Sequence, residues 1–538
     1  MAGFEMTGLL VALLLGATCP NATPLTPTMR GIVAHRKVPH ATATHLMAVT
    51  SHPLATKAAL DTLARGGNAA DAFIAAVLVQ DVVLPGVTST AGLANILYYD
   101  AKTKRITVIH GGFADAEDPA RRYQDSDTQL GKSVFIPGAP AAYAMLSKNF
   151  GKRPFAELVE PAARIADEGF VLDELYGYVI SDGETLLKKT AYGCDTYFKD
   201  GRLLGVGDTL RLPAVATTLR AYGADPSWFY HAPWAAKAVT IANANGGQLV
   251  VRDFETYAPD IGAPFRRRFM GNDLYVQGEG GMKLLATLGA LERLRAGARE
   301  GAPVESAEAL DRLIGVYQTT LDLPILRDRD ALTAKSHVDM QPLIDEVVRN
   351  YSSGASSPAR DGGTHSSAAV IIDGEGNMVV GTHTSESYPW SSGYFVDGIL
   401  LAAAYPYGGA QSAAKTRMRF DPTSNTIVVR DGKLVAGLAV YGSGLTPADV
   451  QILDGLLARN LSARDAIDAP RVAYSPMDQE FLYADIRFPD DVLCASQLPL
   501  KRAVNEDLGF PTLITVDRGV INGVAPDNYF VQGTPAGM

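Results

Sequence analysis

The feature that most limits how this chain can fold is an abrupt change of pattern near Tyr351. Residues 351–365, YSSGASSPARDGGTH, are rich in Ser, Gly and Pro, a composition typical of a loop. Residues 366–384, SSAAVIIDGEGNMVVGTHT, follow directly and hold two apolar runs separated by a short turn with Asp and Gly. Two such runs joined by a tight turn predict a β-hairpin. The chain must therefore begin a strand immediately after a polar loop.

The sequence differs in type on the two sides of this junction. Before it, apolar residues recur at three- and four-residue spacing and predict helices over residues 53–83 (broken at Gly66 and Gly67), 139–148, 155–169 and 307–321, with strands at 94–100 and 105–111. After it, the pattern predicts a second hairpin over residues 425–441 and a helix over Asp449–Arg459. A helix-rich first part is thus expected to meet a sheet-rich second part.

Composition excludes several classes of protein. The chain has 538 residues, of which 47 % are hydrophobic and 20 % charged, as in globular proteins with a large core. Disordered, collagen-like and disulfide-stapled chains are therefore excluded. The formal net charge is −10, whereas proteins that bind duplex nucleic acid are usually basic, so we expect no nucleic-acid partner.

The sequence contains no motif for a metal or a redox centre. The three cysteines, Cys19, Cys194 and Cys494, form no CxxC pair, and no HExxH motif occurs among the histidines. We therefore expect neither a metal nor another cofactor. Whether Cys194 and Cys494 pair with each other is left open.

The N-terminal residues leave the location of the protein open. Leu9–Ala17, LLVALLLGA, resembles the apolar core of a secretory signal, but Glu5 precedes it and no Lys or Arg does. Residues 1–25 are therefore either a signal, for a secreted or periplasmic protein, or a disordered or packed segment of a cytoplasmic one. No later apolar run reaches the length of a membrane span, so none is expected in the mature body.

The hydroxyl residues at the start of the first hairpin favour one kind of chemistry. A small hydroxyl residue that opens a buried strand after a loop suits a nucleophile freed by cleavage of the preceding peptide bond, because its new α-amine can serve as the general base. Ser366 and Ser367 stand at this position. Alternatively, both are ordinary loop residues that lead into a strand.

Several sequence blocks, in order, resemble the γ-glutamyltranspeptidase family. They are RGGNAADAFIAAVLVQDVVLPG at 65–86, IPGAPAAYAMLSKNFGKRPFAELVEPAARIADEGF at 136–170, GDTLRLP from 207, DPSWFY from 225, NGGQLVVRDFETY from 245, DGEGNMV from 373 and DAPR at 468–471. The resemblance extends from about residue 45 to the C-terminus. It implies an α+β fold, the four-layer αββα sandwich of N-terminal-nucleophile (Ntn) hydrolases, in one large body made as a self-cleaving precursor.

The resemblance also implies a nucleophile. The family has it seven residues before the Asp of the hairpin turn, which gives Ser366, and has a supporting threonine eighteen residues later, which gives Thr384. Cleavage between His365 and Ser366 would leave residues 26–365 as the large-subunit region and 366–538 as the small one. Thr364 is the alternative nucleophile, although this choice needs a two-residue insertion in the strand.

An oxyanion hole is expected near the end of the second hairpin. Acyl transfer passes through a tetrahedral anion that N–H groups stabilise, and the family uses a pair of glycines after a strand. Gly442, Ser443 and Gly444 are the candidates, although the family's Gly-Gly pair is not intact. The alternative is a simple turn between strand and helix.

The substrate pocket departs from the family pattern. The arginine that clamps the donor carboxylate falls near Gly111 or Gly112, the family's Asn becomes Glu386, its acidic residue maps near Tyr407, and its paired serines near Asp421 and Pro422. Glycine cannot replace a bidentate Arg–carboxylate contact. Arg417 and Arg419 could supply a carboxylate contact from a new direction, or could form a solvated strand face.

We therefore predict an autoprocessing amide hydrolase or acyltransferase that uses Ser366 and an altered acyl pocket. Its partners would be a small-molecule acyl donor, and water or an amine as acceptor. One alternative is a genuine γ-glutamyl hydrolase or transferase acting on glutathione-like donors, and another is an unprocessed, non-catalytic binding homologue. Ser412 and Lys415 fit the S-x-x-K pattern of penicillin-recognising hydrolases, but its companion motifs are missing.

Overall fold

The computed structural model describes residues 37–122, 127, 130–231, 233–295, 306–354, 366–385, 390–403, 416–420, 422–442, 444–474, 482–503, 508–527 and 531–538. The helices in these ranges are α1 (Pro53–Ala64), α2 (Ala69–Val83), α3 (Ala139–Phe150), α4 (Phe155–Glu168), α5 (Glu174–Asp182), α6 (Glu184–Leu187), α7 (Ala191–Tyr197), α8 (Pro213–Ala224), α9 (Trp234–Ala244), α10 (Val251–Glu255), α11 (Gly278–Arg295), α12 (Ala307–Leu321), α13 (Met340–Ser352), α14 (Leu445–Leu457), α15 (Ala463–Asp468) and α16 (Asp490–Ala495).

The strands are β1 (His40–Ala43), β2 (Met47–Thr50), β3 (Leu93–Tyr99), β4 (Ile106–Gly111), β5 (Phe170–Val171), β6 (Phe198–Lys199), β7 (Arg202–Leu203), β8 (Thr209–Leu210), β9 (Asp260–Gly262), β10 (Phe265–Phe269), β11 (Asn272–Val276), β12 (Ser367–Ile372), β13 (Met378–Thr384), β14 (Phe395–Val396), β15 (Ile399–Leu400), β16 (Asn425–Arg430), β17 (Lys433–Tyr441), β18 (Val472–Tyr474), β19 (Leu482–Asp485), β20 (Leu500–Ala503), β21 (Phe510–Asp517), β22 (Val520–Val524) and β23 (Thr534–Gly537).

Two seven-stranded antiparallel sheets lie at the centre of the molecule. The first has the order β23-β2-β12-β13-β3-β4-β9, and the second has the order β1-β22-β21-β17-β16-β11-β10. Strands from before and after residue 365 are hydrogen-bonded neighbours within the first sheet, and both kinds also occur in the second. The sheet structure is therefore shared between the two parts of the chain rather than confined to the second.

Side chains on β12 and β13 alternate between two different cores. Val370 and Val380 pack against Gly437 of β17, in the second sheet, whereas Gly381 packs against Phe73 of α2. Since successive side chains of a strand point to opposite faces, even-numbered residues of β12 and β13 lie between the sheets. Odd-numbered ones lie under the helix layer.

Helices cover the outer face of each sheet. On the first sheet, α1 to α4 form one core with apolar residues such as Ile371 and Val379. On the second sheet, α11 to α14 form another, with residues such as Leu274 and Leu438. The layer order is helix, sheet, sheet, helix, as expected.

Helix α2 forms the layer directly under β12 and β13. Asn68 caps it, since its side chain accepts from the Asp71 N–H at 3.1 Å while the Asp71 carboxylate accepts from the Asn68 N–H at 3.0 Å. Gly66, with φ of 85°, makes the preceding turn that the Gly-Gly pair predicts. The helix is apolar on nearly all sides, as a buried helix must be.

Some element bounds differ from the expected ones. Helix α14 begins at Leu445, four residues before the predicted Asp449, because Thr446 and Pro447 belong to its first turn, where Pro needs no hydrogen-bond acceptor. Helix α13 continues through Tyr351 to Ser352, into the segment expected to be a loop. Cys194 is a free thiol and so does not pair with Cys494. Among the described helices, none is long and apolar enough to cross a membrane.

Candidate active site

The expected nucleophile and its supporting threonine lie on neighbouring strands. In the β12–β13 pair Ser367 is opposite His383, and continuing this register by one residue sets Ser366 opposite Thr384. Both are even-numbered, so both belong to the face between the sheets. Ser366 is partly buried and Thr384 buried, and Thr384 in turn pairs with Leu93 of β3.

A close backbone approach fixes the position of Thr384. A Cβ atom at Gly92 would lie 2.3 Å from the Thr384 carbonyl oxygen and 2.7 Å from that of Ser89, so only glycine fits. The Gly92 carbonyl accepts from the N–H groups of Gly138 and Ala139, each at 2.9 Å. The strand end that carries Thr384 is thereby tied to the beginning of α3.

Polar side chains connect the two sheets beside this strand end. Thr423 Oγ1 accepts from Asn95 Nδ2 at 2.9 Å and from Thr382 Oγ1 at 3.0 Å. Asn425 Nδ2 donates to the Asn95 carbonyl at 2.8 Å and to Thr382 Oγ1 at 3.3 Å. These bonds hold the segment before β16 against β3 and β13.

The turn expected to form an oxyanion hole leads directly into α14. Gly442 and Gly444 have φ of 84° and 64°, which favours glycine at both positions. Gly444 is the N-cap of α14 and supplies no side-chain acceptor. The first N–H groups of a helix have no acceptor within it and carry partial positive charge, so this helix start can stabilise an anion.

Contacts of Tyr441 place this turn at the same end of the molecule as Ser366. Burial raises the pKa of Tyr441, and the neighbouring Ser51 hydroxyl acts against that shift. Ser51 Oγ lies 2.7 Å from Ser367 Oγ, next to the start of β12. The end of β17 is thus close to the beginning of β12.

A buried carboxyl group lies in the first turns of α14. Ser424 Oγ donates to Asp449 Oδ2, and both side chains are fully buried. Burial raises the pKa of Asp449 well above its ordinary value, and the Ser424 hydroxyl only partly offsets this. Burial therefore disfavours a negative charge at Asp449 beside the turn.

Arg417 and Arg419 belong to a cluster of charges around Asp115, which we call the Asp115 cluster. Arg419 Nε lies 2.9 Å from Asp115 Oδ1, and Arg329 Nη1 lies 3.0 Å from Asp115 Oδ2. Arg417 Nη2 donates to Thr256 Oγ1 at 3.1 Å. The Arg419 side chain is only 12 % exposed and so does not lie on a solvated strand face, whereas Arg417 is half-buried.

Aromatic contacts connect the Asp115 cluster with the strand beside Thr384. The Arg419 guanidinium lies over the Phe135 ring, 4.6 Å from its centroid. Phe135 packs with Phe113, Ala402 and Leu93, the strand partner of Thr384. The cluster therefore lies beyond a small apolar patch that begins at the candidate site.

The glycines at the family's arginine position are enclosed by backbone. A Cβ atom at Gly112 would lie 2.2 Å from the Arg419 carbonyl oxygen, and one at Gly111 would lie 2.5 Å from the Gly138 carbonyl oxygen. No side chain fits at either position while these segments stay in place. The segment that blocks Gly112 is the one that brings Arg417 and Arg419.

Several residues predicted from the sequence fall outside the described part of the chain. They are Thr364, His365, Glu386, Tyr407, Ser443 and Asp421, together with Ser412 and Lys415.

Comparisons with known proteins give a consistent result. The family model described as Gamma-glutamyltranspeptidase matches residues 55–525. An Acylase ACY 1 proenzyme from Pseudomonas sp. (strain V22) is 25 % identical over 84 % of this chain and 86 % of its own. A Glutathione hydrolase proenzyme from Bacillus subtilis (strain 168) is 24 % identical over 83 % of each chain. Among solved structures, cephalosporin acylase from Bacillus halodurans superposes with a TM-score of 0.77 at 20 % identity, over 93 % of this chain and 96 % of that one.

Proposed function

Because the chain belongs to the gamma-glutamyltranspeptidase family, we propose that it is made as a precursor that cleaves itself before Ser366 and then uses Ser366 to hydrolyse or transfer acyl groups. Membership makes it an Ntn-type amidohydrolase or acyltransferase. The observation that carries the choice of residue is the β12–β13 register, which continues to Ser366 opposite Thr384.

The proposed maturation is an acyl shift followed by hydrolysis. Ser366 Oγ attacks the carbonyl carbon of His365, the C–N bond to Ser366 breaks, and its nitrogen takes up the proton. Water then cleaves the resulting ester, so that residue 365 ends in a carboxylate and Ser366 carries a free α-amine. In this proposal Thr384, opposite Ser366 in the continued register, hydrogen-bonds the amine, the role that the resemblance implies for it.

The proposed catalytic cycle reuses the same atoms. The Ser366 amine accepts the hydroxyl proton as Oγ attacks the substrate amide, and that proton then leaves with the departing amine. N–H groups of the 442–444 turn and of the start of α14 stabilise the tetrahedral anion. Water, or a second amine, attacks the acyl-enzyme and releases Ser366.

The acyl donor is proposed to carry a carboxylate that reaches Arg417 or Arg419. Two observations support this: backbone encloses Gly111 and Gly112, where the family's arginine is expected, and the segment that encloses Gly112 brings two arginines. Some relatives of this chain are named acylase and others glutathione hydrolase. Because of the glutathione hydrolases, a γ-glutamyl donor is the other candidate.

Cleavage is tested by denaturing electrophoresis and intact-mass measurement of the purified chain. We expect two pieces, separated at the peptide bond before Ser366. In the full-length chain they have 365 and 173 residues. Ser366→Ala should remain one chain, whereas Thr364→Ala should be cut like the wild type. A cut before Thr364 would transfer the role of nucleophile to that residue, and an uncut wild type that no electrophilic probe acylates would leave a binding homologue.

The donor is tested with a matched pair of anilides. Glutaryl and γ-glutamyl anilides differ only in the α-amino group, so their kcat/KM ratio measures dependence on that group. We expect the glutaryl compound to be the better substrate, and Arg417→Met or Arg419→Met to raise its KM by about 10-fold or more, as the loss of a charge-assisted hydrogen bond does. Faster turnover of the γ-glutamyl compound would contradict the proposed pocket.

A further inference from the structure

A buried glutamine lies directly beneath the start of β12, on the helix side of the first sheet. Gln80 of α2 donates from Nε2 to the Ala368 carbonyl at 3.1 Å and to Ser51 Oγ at 2.7 Å. Ser51 Oγ lies 2.7 Å from Ser367 Oγ. One amide group thus holds the two residues that follow Ser366.

A buried histidine and a buried aspartate hold this glutamine in turn. His383 Nε2 lies 3.0 Å from Gln80 Oε1, and His383 Nδ1 lies 3.0 Å from Asp81 Oδ1. The side chains of His383 and Asp81 are each 1 % exposed. His383 is the strand partner of Ser367, so its odd-numbered position places it on this face.

The hydrogen-bond directions follow from one fixed acceptor. The Ala368 carbonyl can only accept, so the Gln80 atom beside it is the NH₂ group, and Gln80 Oε1 must accept from His383 Nε2–H. His383 Nδ1 and Asp81 Oδ1 then form a hydrogen bond that shares one proton between them. Burial raises the pKa of Asp81, whereas His383 and the hydroxyl groups of Thr88 and Thr90 oppose that shift.

The cost of this arrangement argues that it serves a purpose. Gln80 and Asp81 interrupt the apolar helix AADAFIAAVLVQDVV, where aliphatic side chains would pack without any polar group to satisfy. Each buried polar group left unpaired costs about 1–3 kcal/mol. A buried hydrogen-bond network in which every group needs its partner favours a single geometry. Here that network fixes the first residues of β12.

We propose that Gln80, oriented by the His383–Asp81 pair, is a positioning residue that holds Ser366 in line for self-cleavage and acyl transfer. The inference rests on the proposed function of Ser366. Through Ala368 and Ser51, Gln80 fixes the peptide planes that follow Ser366, and these planes decide where its amine and hydroxyl point. Asp81 also acts on two other titratable groups, Tyr143 and Tyr222, and burial raises the pKa of both phenols, so they stay neutral.

Two substitutions at one position separate positioning from mere packing. Gln80→Met keeps the volume and loses both donors, so self-cleavage and the kcat of the mature enzyme should fall by about 10- to 100-fold, as for a misplacement near 1 Å, with KM unchanged. Gln80→Glu keeps the shape but points an oxygen at the Ala368 carbonyl. Protonation of the new carboxyl restores a donor there, so between about pH 8.5 and pH 5 its rate should rise relative to wild type, whereas that of Gln80→Met should not.

The control is a second buried amide, far from β12. Asn272 donates from Nδ2 to the Met270 carbonyl at 2.8 Å in the β10–β11 turn, so Asn272→Asp also turns an oxygen toward a carbonyl. It should lower the melting temperature without making self-cleavage depend on acid. Rates are followed on soluble protein by electrophoresis after a pH step.

The outcomes distinguish this inference from the one it rests on. A wild type that never cleaves overturns the proposed function, and this inference with it. A wild type that cleaves while both Gln80 variants match its rate at every pH overturns this inference alone. If Gln80→Glu proves insoluble, a Gln80→Met variant that cleaves at the wild-type rate still overturns it.

Discussion

At the residue scale, spacing within the family pattern predicts Ser366 and Thr384, because both lie on one hairpin whose length leaves no freedom. The sequence did not reveal the roles of Gln80, His383 and Asp81. Each is a single polar residue in an apolar run, and only the pairing of β12 with β13 and the packing of α2 bring them together. The interruption of an apolar helix by Gln-Asp was the one visible indication.

One residue-scale prediction concerns the buried carboxyl group of Asp449. Its folded pKa is raised by burial above the unfolded value of about 4, so the wild type loses stability as pH rises from that value toward the folded one. Asp449→Asn keeps an oxygen that accepts the hydrogen bond from Ser424, and its amide group does not ionise. We therefore expect the variant to gain more unfolding free energy, relative to wild type, at pH 8 than near pH 4. Melting curves at both pH values check this, and an equal gain at both would contradict it.

At the element scale, helices and strands follow from local patterns, whereas their contacts do not. The hairpins and the helices of the first part are confirmed to within a few residues, because apolar spacing and turn residues act locally. The positions of Arg417 and Arg419 could not be foreseen, since they depend on a segment laid across the end of β4, roughly 300 residues away in sequence. That segment brings both arginines to Asp115, where Arg419 is largely buried and Arg417 half-buried.

The element-scale prediction uses the glycine beside Thr384. Gly92→Ala drives a Cβ atom into two carbonyl oxygens, of Thr384 and Ser89, and neither belongs to a flexible side chain. We expect self-cleavage to slow by about 10- to 100-fold because the end of β13 has to move. Gly205→Ala is the matched control, since a Cβ atom there meets no neighbour within 4 Å. Equal cleavage rates in the two variants would contradict the close approach as the cause.

At the scale of the whole molecule, strand order is the part that no local pattern determines. The β12–β13 hairpin lies between β2 and β3. Both the β2–β12 pair and the β3–β13 pair join strands that are roughly 300 residues apart in the chain. The resemblance implied the layered architecture. It did not give the order of strands within each sheet.

The matching prediction is that the two pieces stay together after cleavage. Removing either piece would take strands out of both sheets, so most of the core would be exposed. Native mass measurement and gel filtration should find one particle of the uncut mass, whereas denaturing electrophoresis shows two chains. Separation of the pieces without denaturant would contradict it.

The interleaving of β2, β12, β13 and β3 also means that the uncut precursor folds under conditions that the cleaved protein no longer has. The precursor closes these long-range pairings within one chain, where the loop-closure cost grows only slowly with length. After the cut, the same pairings require a bimolecular encounter of two partly exposed chains that aggregate readily. We therefore expect the proposed mature enzyme to be protected by its unfolding barrier rather than by a reversible equilibrium, and not to refold after it has been heated past that barrier.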